Sequence, residues 1–191
     1  MKLAKIALAV LILAVAAAPQ TKDLGLGAFS NESGAILMAI DAALVNQNLN
    51  SPYVMFVAFM AAAGDQALAV AAKDVVMVYK GQEYHMPSLQ ELRGHYRGEI
   101  RDLDFYQRLG REGLNASWIR YYRFVSDTPF FPPLTTNAPL AAKEGHMSAN
   151  LGFLTPLYFK NPGFVKGDKL TIKVQDVKNP DLTGACDIVL K

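Results

Sequence analysis

The sequence predicts a mainly β domain, a sandwich with one helical insertion around residues 88–112. Three observations carry that expectation. Short apolar runs rich in β-type residues are bounded by Gly, Pro and Asn turn signals. A two-residue junction, Lys80-Gly81, separates two strand-like runs. Helical periodicity is confined to one stretch, where Leu89, Leu92, Tyr96, Ile100, Leu103 and Tyr106 recur at spacings of three and four.

At the N-terminus, Lys2 and Lys5 precede an unbroken apolar run, residues 6–15, and Ala16, Ala17 and Ala18 lead into polar Gln20. That is the three-part pattern of a cleaved secretory signal, residues 1–18, with cleavage near Ala17 or Ala18. The run is shorter than the ~20 residues that span a bilayer, so no transmembrane segment is expected in the mature chain. Residues 19–33 are polar and contain Gly, Ser and Asn, which reads as a flexible lead-in. One domain, residues 34–191, follows.

Residues 35–45 are compatible with a strand or a short helix. Residues 53–60 are apolar at odd and even positions, as a strand covered on both faces requires. In the hairpin, Val75, Met77, Tyr79, Tyr84 and Met86 share one face, and Glu83 and His85 share the other with Val76 and Val78. Pro87 ends the second strand, and Ser88-Leu89-Gln90-Glu91 has the capping-box pattern of a helix start. Gly94 and Gly98 are candidate break points within the helical stretch. Residues 118–125 return to β-type composition, and residues 127–150, with Pro129, Pro132, Pro133 and Pro139, read as a long irregular loop. Residues 153–159, 170–174 and 185–190 are strand-like, separated by Asn-Pro-Gly and Asn-Pro-Asp turns. Leu170, Ile172 and Val174 alternate with Lys169, Thr171, Lys173 and Gln175, the pattern of a half-exposed strand.

This plan resembles an immunoglobulin-like β-sandwich in architecture. Its diagnostic residues are missing, because there is no cysteine pair and Trp118 lies in the wrong half of the chain.

Composition narrows the function classes. The net charge of +2 belongs to the leader: without Lys2 and Lys5 the chain has 17 basic and 17 acidic residues. Balanced net charge gives no support to a nucleic-acid or anionic-membrane partner. Cys186 is the only cysteine, so the fold rests on its core without an intrachain disulfide. An exported, cysteine-poor chain of this kind points to the bacterial cell envelope, periplasmic or secreted.

All seven arginines lie between Arg93 and Arg123, and every other Lys/Arg position is lysine. On one continuous helix, Arg93, Arg97 and Arg101 form a stripe with Arg108 two turns on, able to grip carboxylates or phosphates. Interleaved Glu91, Glu99, Asp102, Asp104 and Glu112 favour a solvated face instead. Arg120 and Arg123 bracket Tyr121 and Tyr122, a mixture found where proteins meet partners, although at most half of a strand can face outward. Phe130 and Phe131, set among prolines, are expected either to fold back as a lid or to form a contact patch. The candidate ligand or partner surface is therefore Arg93, Arg97, Arg101, Arg108, Arg120, Arg123, Phe130 and Phe131.

Two His-Met pairs, His85-Met86 and His146-Met147, are the candidate metal ligands, but neighbours on a strand point to opposite faces. Asp168, Asp176, Asn179 and Asp181 can offer oxygens to calcium, and turn formation explains them more economically. Serine-hydrolase, zinc-protease and phosphate-loop signatures are missing, no cofactor is implied, and Cys186 alternates with Ile188 and Leu190 as a buried small residue. The expected function is a non-catalytic exported binding or scaffold module. Alternatives are a small-ligand or metal-binding envelope protein and an envelope hydrolase without identifiable residues.

Overall fold

The computed structural model describes residues 21–96, 102, 123–125, 129–132 and 141–191. The chain is mainly β. Its strands are β1 (Lys22–Gly25), β2 (Ala28–Asn31), β3 (Ile36–Asp41), β4 (Tyr53–Ala62), β5 (Leu68–Ala71), β6 (Val75–Tyr79), β7 (Gln82–His85), β8 (Arg123–Val125), β9 (Glu144–Met147), β10 (Leu151–Lys160), β11 (Lys169–Gln175) and β12 (Thr183–Val189). Two short helices, α1 (Ala43–Gln47) and α2 (Leu89–His95), and a 3-10 turn, Ala72–Asp74, accompany them. The strands form a six-stranded sheet, β1-β2-β3-β4-β10-β8, a four-stranded sheet, β12-β11-β6-β7, and a β5-β9 pair.

The core follows from the register. In the first sheet Met38 pairs with Met60, Ile40 with Ala58 and Leu157 with Phe56, so these side chains share a face, and all are fully buried. The inward face of the second sheet supplies Met77, Ile172, Cys186 and Ile188 to the same continuous core. β4 is also buried on its other face, because α2 and the 129–132 segment cover it. Tyr53 and Tyr158 there make edge-on contacts with Tyr96, at 5.7 and 5.9 Å, and Phe131 meets Tyr158 at 5.2 Å. Coverage on both sides is why residues 53–60 show no alternation.

β12 crosses β3 and β2 where two glycines leave room. A Cβ on Gly184 would lie 2.4 Å from the Ile36 carbonyl oxygen, and one on Gly34 2.5 Å from that of Thr183. The Asn31 amide ties the crossing by donating to the Ala185 carbonyl at 2.7 Å.

Several expectations hold. Residues 53–60 are a central strand, and residues 35–45 contain both candidates, a strand and then a short helix. The Lys80-Gly81 hairpin has positive φ at both turn residues, 49° and 78°, and Tyr79 pairs with Gln82. The Ser88 hydroxyl accepts from the Glu91 N–H, capping α2.

Three expectations are corrected. The lead-in is not flexible from Lys22 onward: β1 and β2 form a hairpin that buries Phe29. Its glycines mark a turn rather than looseness, with Leu26 at φ 53° and Gly27 at φ 88°. Residues 127–150 are not one irregular loop, because β9 lies within them and pairs with β5, Met147 opposite Leu68. The helical stretch is broken at Tyr96, extended at φ −109°, ψ 124°, between the candidate break points Gly94 and Gly98; Asp102 is helical, and the rest of the stretch to 112 lies outside the described residues. The meander β1-β2-β3-β4 also keeps successive strands in one sheet, whereas an immunoglobulin-like plan exchanges them between sheets.

Candidate functional site

The outer face of the second sheet is built by two strand pairings. β6 pairs with β7 through the tight hairpin, placing Val76 opposite His85 and Val78 opposite Glu83. β11 joins the other edge of β6, with Lys173 opposite Val76 and Thr171 opposite Val78, and β12 continues with Ala185 and Asp187. Two cross-strand rows result: His85, Val76, Lys173, Ala185, and beside it Glu83, Val78, Thr171, Asp187. One row carries a lysine and a histidine, the other two carboxylates, and strand geometry sets them about 7 Å apart. Val76 and Val78, half-buried, form an apolar floor between the polar side chains of β7 and β11.

This face is concave. A hollow of about 530 Å³ lies over it, lined by Lys73, Asp74, Val76, Glu83, His85, Lys173, Val174, Gln175, Thr183, Gly184 and Ala185. Among the described residues, Glu83, His85 and Lys173 enter no side-chain hydrogen bond or ion pair. The Thr171 hydroxyl donates to Asp187 at 2.6 Å, closing one margin. The arrangement offers donors and acceptors to a polar ligand of mixed charge.

Other polar clusters serve the fold. Asp168 accepts from the Tyr79 hydroxyl at 2.6 Å and the Val165 N–H at 2.8 Å, with Lys80 3.8 Å away, so it locks the β10–β11 loop onto the hairpin. The Tyr79 hydrogen bond, then the Val165 N–H and Lys80, hold its carboxyl below the ordinary range. Asp176 is buried and accepts from the N–H groups of Ala69, Lys178 and Asn179. Burial pushes its pKa up, but the three N–H groups and Lys178 together pull it lower. Both residues are turn formers, as the sequence pattern suggests. Cys186 is fully buried and its thiol is pushed up to about 12, chiefly by burial.

No protein-family model, curated protein or solved structure matches the chain.

The candidates read from the sequence are dispersed. Arg93 is half-buried on α2, Arg123 is exposed on β8, and Arg97, Arg101, Arg108 and Arg120 lie outside the described residues. The extended backbone at Tyr96 interrupts the single helix on which Arg93, Arg97 and Arg101 were to form a stripe. Phe130 and Phe131 take the lid alternative: both are buried, and the Phe130 N–H donates to Thr155. They are therefore not part of an exposed surface.

His85 lies on β7 and His146 on β9, in different sheets, and no group of three or more metal-ligating side chains occurs among the described residues. Met147 is buried while His146 is exposed, as opposite faces of a strand dictate. The sequence placed Glu83, His85, Val76 and Val78 on one face but did not connect them to Lys173, Gln175 or Thr183. The alternation of residues 169–175 was the signal for the missing half of the hollow.

Proposed function

We propose that the protein is an exported binding or scaffold module of the bacterial cell envelope, without a catalytic site, that meets its protein or envelope partner through the outer face of β12-β11-β6-β7. The observation that carries this reading is the open hollow with unpaired Glu83, His85 and Lys173 on an otherwise closed β framework. Its body is a β-sandwich, a reading supported by two sheets that contribute one face each to a single core. Export is supported by the leader pattern and by the start of β1 at Lys22, so cleavage near Ala18 removes nothing from the sheet.

A photo-reactive amino acid placed at Gln175 in cells, with a control at exposed Asp65, tests the face. The expected result is a discrete adduct from position 175 alone, lost when Lys173→Glu is added. Equal adducts from both positions, or none, refute the assignment. Export is tested separately by fractionation and the N-terminal residue of the recovered protein. A second reading, a small polar ligand in the same hollow, is favoured by its size, which falls within the range of small-molecule sites. Saturable binding of a small molecule, abolished by His85→Ala, selects that version.

A further inference from the structure

We infer that one end of the molecule docks on an anionic phospholipid surface, with Leu26 and Val165 as the inserting side chains and lysines as the headgroup contacts. It does not rest on the outer-face reading above, although Lys169 and Val189 stand at the margin of that face. Backbone pairings place the relevant segments together. Ala42 donates to Gly27, bringing the β1–β2 turn beside α1; Lys191 donates to Asn46 on α1; and Gly167 donates to Leu190, joining the β10–β11 loop to the end of β12.

This end carries the most exposed large apolar side chains described, Leu26 at 86% and Val165 at 58% exposed, with Val189 at 37% beside them. Leu26 sits at the first position of a tight turn with φ 53°, where asparagine or glycine is less strained. The chain thus holds an aliphatic side chain in solvent, in an unfavourable backbone conformation, at a projecting tip.

Among the described residues, this end carries three lysines without a partner. Lys160, Lys166 and Lys169 are exposed and form no ion pair among the described residues. Three acids at this end are already engaged, Asp23 by Lys191 at 2.7 Å, Asp168 by Tyr79 and Lys80, and Glu91, beside Lys160, by the Tyr53 hydroxyl at 2.8 Å. At the opposite end Glu32 is paired with Lys22 at 3.5 Å, and exposed Lys143 and Lys178 stand with Asp65 and Asp181. Charge alone would also suit an acidic protein or a head-to-tail second copy. Strongly exposed aliphatic side chains on two separate turns, with unpaired lysines beside them, select the bilayer interface, where apolar side chains enter below snorkelling lysines.

The test is co-sedimentation of the protein, as recovered from expressing cells, with vesicles of neutral phosphatidylcholine or of the same lipid with one-third phosphatidylglycerol. Residues 1–18, if retained, are common to every variant, so the comparison is between variants. Wild type should partition more strongly to the anionic vesicles and weaken at high salt. Reversal of Lys166→Glu with Lys169→Glu should reduce partition by about 25-fold or more, from roughly fivefold per lysine. Lys143→Glu with Lys178→Glu, the same net change at the other end, should leave it nearly unchanged. Leu26→Asn should reduce it about tenfold while relieving turn strain, so its loss of binding is not a loss of fold. The inference is overturned if anionic and neutral vesicles bind alike, if both reversals act equally, or if Leu26→Asn binds as wild type.

Discussion

Gly184→Ala is expected to be the most informative single methyl group that can be added to this fold. The new Cβ would lie 2.4 Å from the Ile36 carbonyl oxygen and 3.0 Å from the Ile36 side chain. The nearest atom is a backbone carbonyl at the first residue of β3, which pairs with Ala62 on β4, so it cannot swing aside as a side chain would. Restoring an ordinary contact requires a displacement of about 1 Å between β12 and β3. Overpacking of this kind costs about 1–3 kcal/mol, and stretching the 2.7 Å Asn31–Ala185 hydrogen bond adds about 1 kcal/mol. The entropy removed from the unfolded chain returns about 0.5 kcal/mol. The net loss is about 2.5 kcal/mol, or a fall in Tm of about 5–10 °C for a chain of this length.

Urea unfolding followed by circular dichroism measures it. Gly94→Ala is the matched control, since a Cβ there meets nothing within 4 Å inside α2 and should stabilise by about 0.5–1 kcal/mol. Gly34→Ala, 2.5 Å from the Thr183 oxygen, should resemble Gly184→Ala. The double variant should cost less than the sum, because strands already parted accommodate the second methyl. Wild-type stability in Gly184→Ala, or full additivity in the double variant, refutes a close strand crossing at this point.

Three further outcomes follow from buried or partnered groups. Burial raises the pKa of Asp41 against the opposing Ala43 N–H, so the folded state binds its proton more tightly than the unfolded state does. Stability should therefore fall as pH rises from the unfolded value through the raised one, and Asp41→Asn should be more stable than wild type at pH 7 with that slope removed. Tyr79→Phe removes the hydrogen bond that most depresses Asp168. It should cost about 1 kcal/mol, and since a depressed acid contributes above its unfolded pKa and loses that contribution as pH falls through the folded one, the variant's acid-side loss should shrink. Cys186, with its thiol near 12, should resist alkylation at pH 8 in the native state and react only on unfolding, which a mass-spectrometric labelling time course reads directly.

The legible parts of this fold were those fixed by neighbours in sequence. A two-residue turn with Gly81 set the β6–β7 register, and Ser88 marked the start of α2. The uniform apolarity of residues 53–60 announced coverage on both faces. What was lost required knowledge of distant partners. β9 is four residues long and includes Gly145, whose missing side chain makes room for the Phe153 ring; only its pairing with β5 makes it a strand. Ser30 and Asn31 look like loop residues until Asn31 is seen tying β2 to β12.

The same distinction governs the functional surfaces. The arginines between Arg93 and Arg123 are consecutive cations in sequence, yet α2 ends at His95 and Arg123 stands on a separate strand. Lys160, Lys166 and Lys169 attract no notice in sequence beside them, and Leu26 is far removed along the chain. Antiparallel strands return these segments to one end, because β10 finishes, β11 begins and β12 ends there. In a β protein, charge clustering is set by which strand termini coincide, so a count along the sequence measures the wrong coordinate. The hollow obeys the same rule: Lys173 joins His85 only because β11 pairs with β6. A charge reversal at Lys173, on the outer face of β11, and one at Lys166, in the β10–β11 loop, should accordingly disturb two different surfaces.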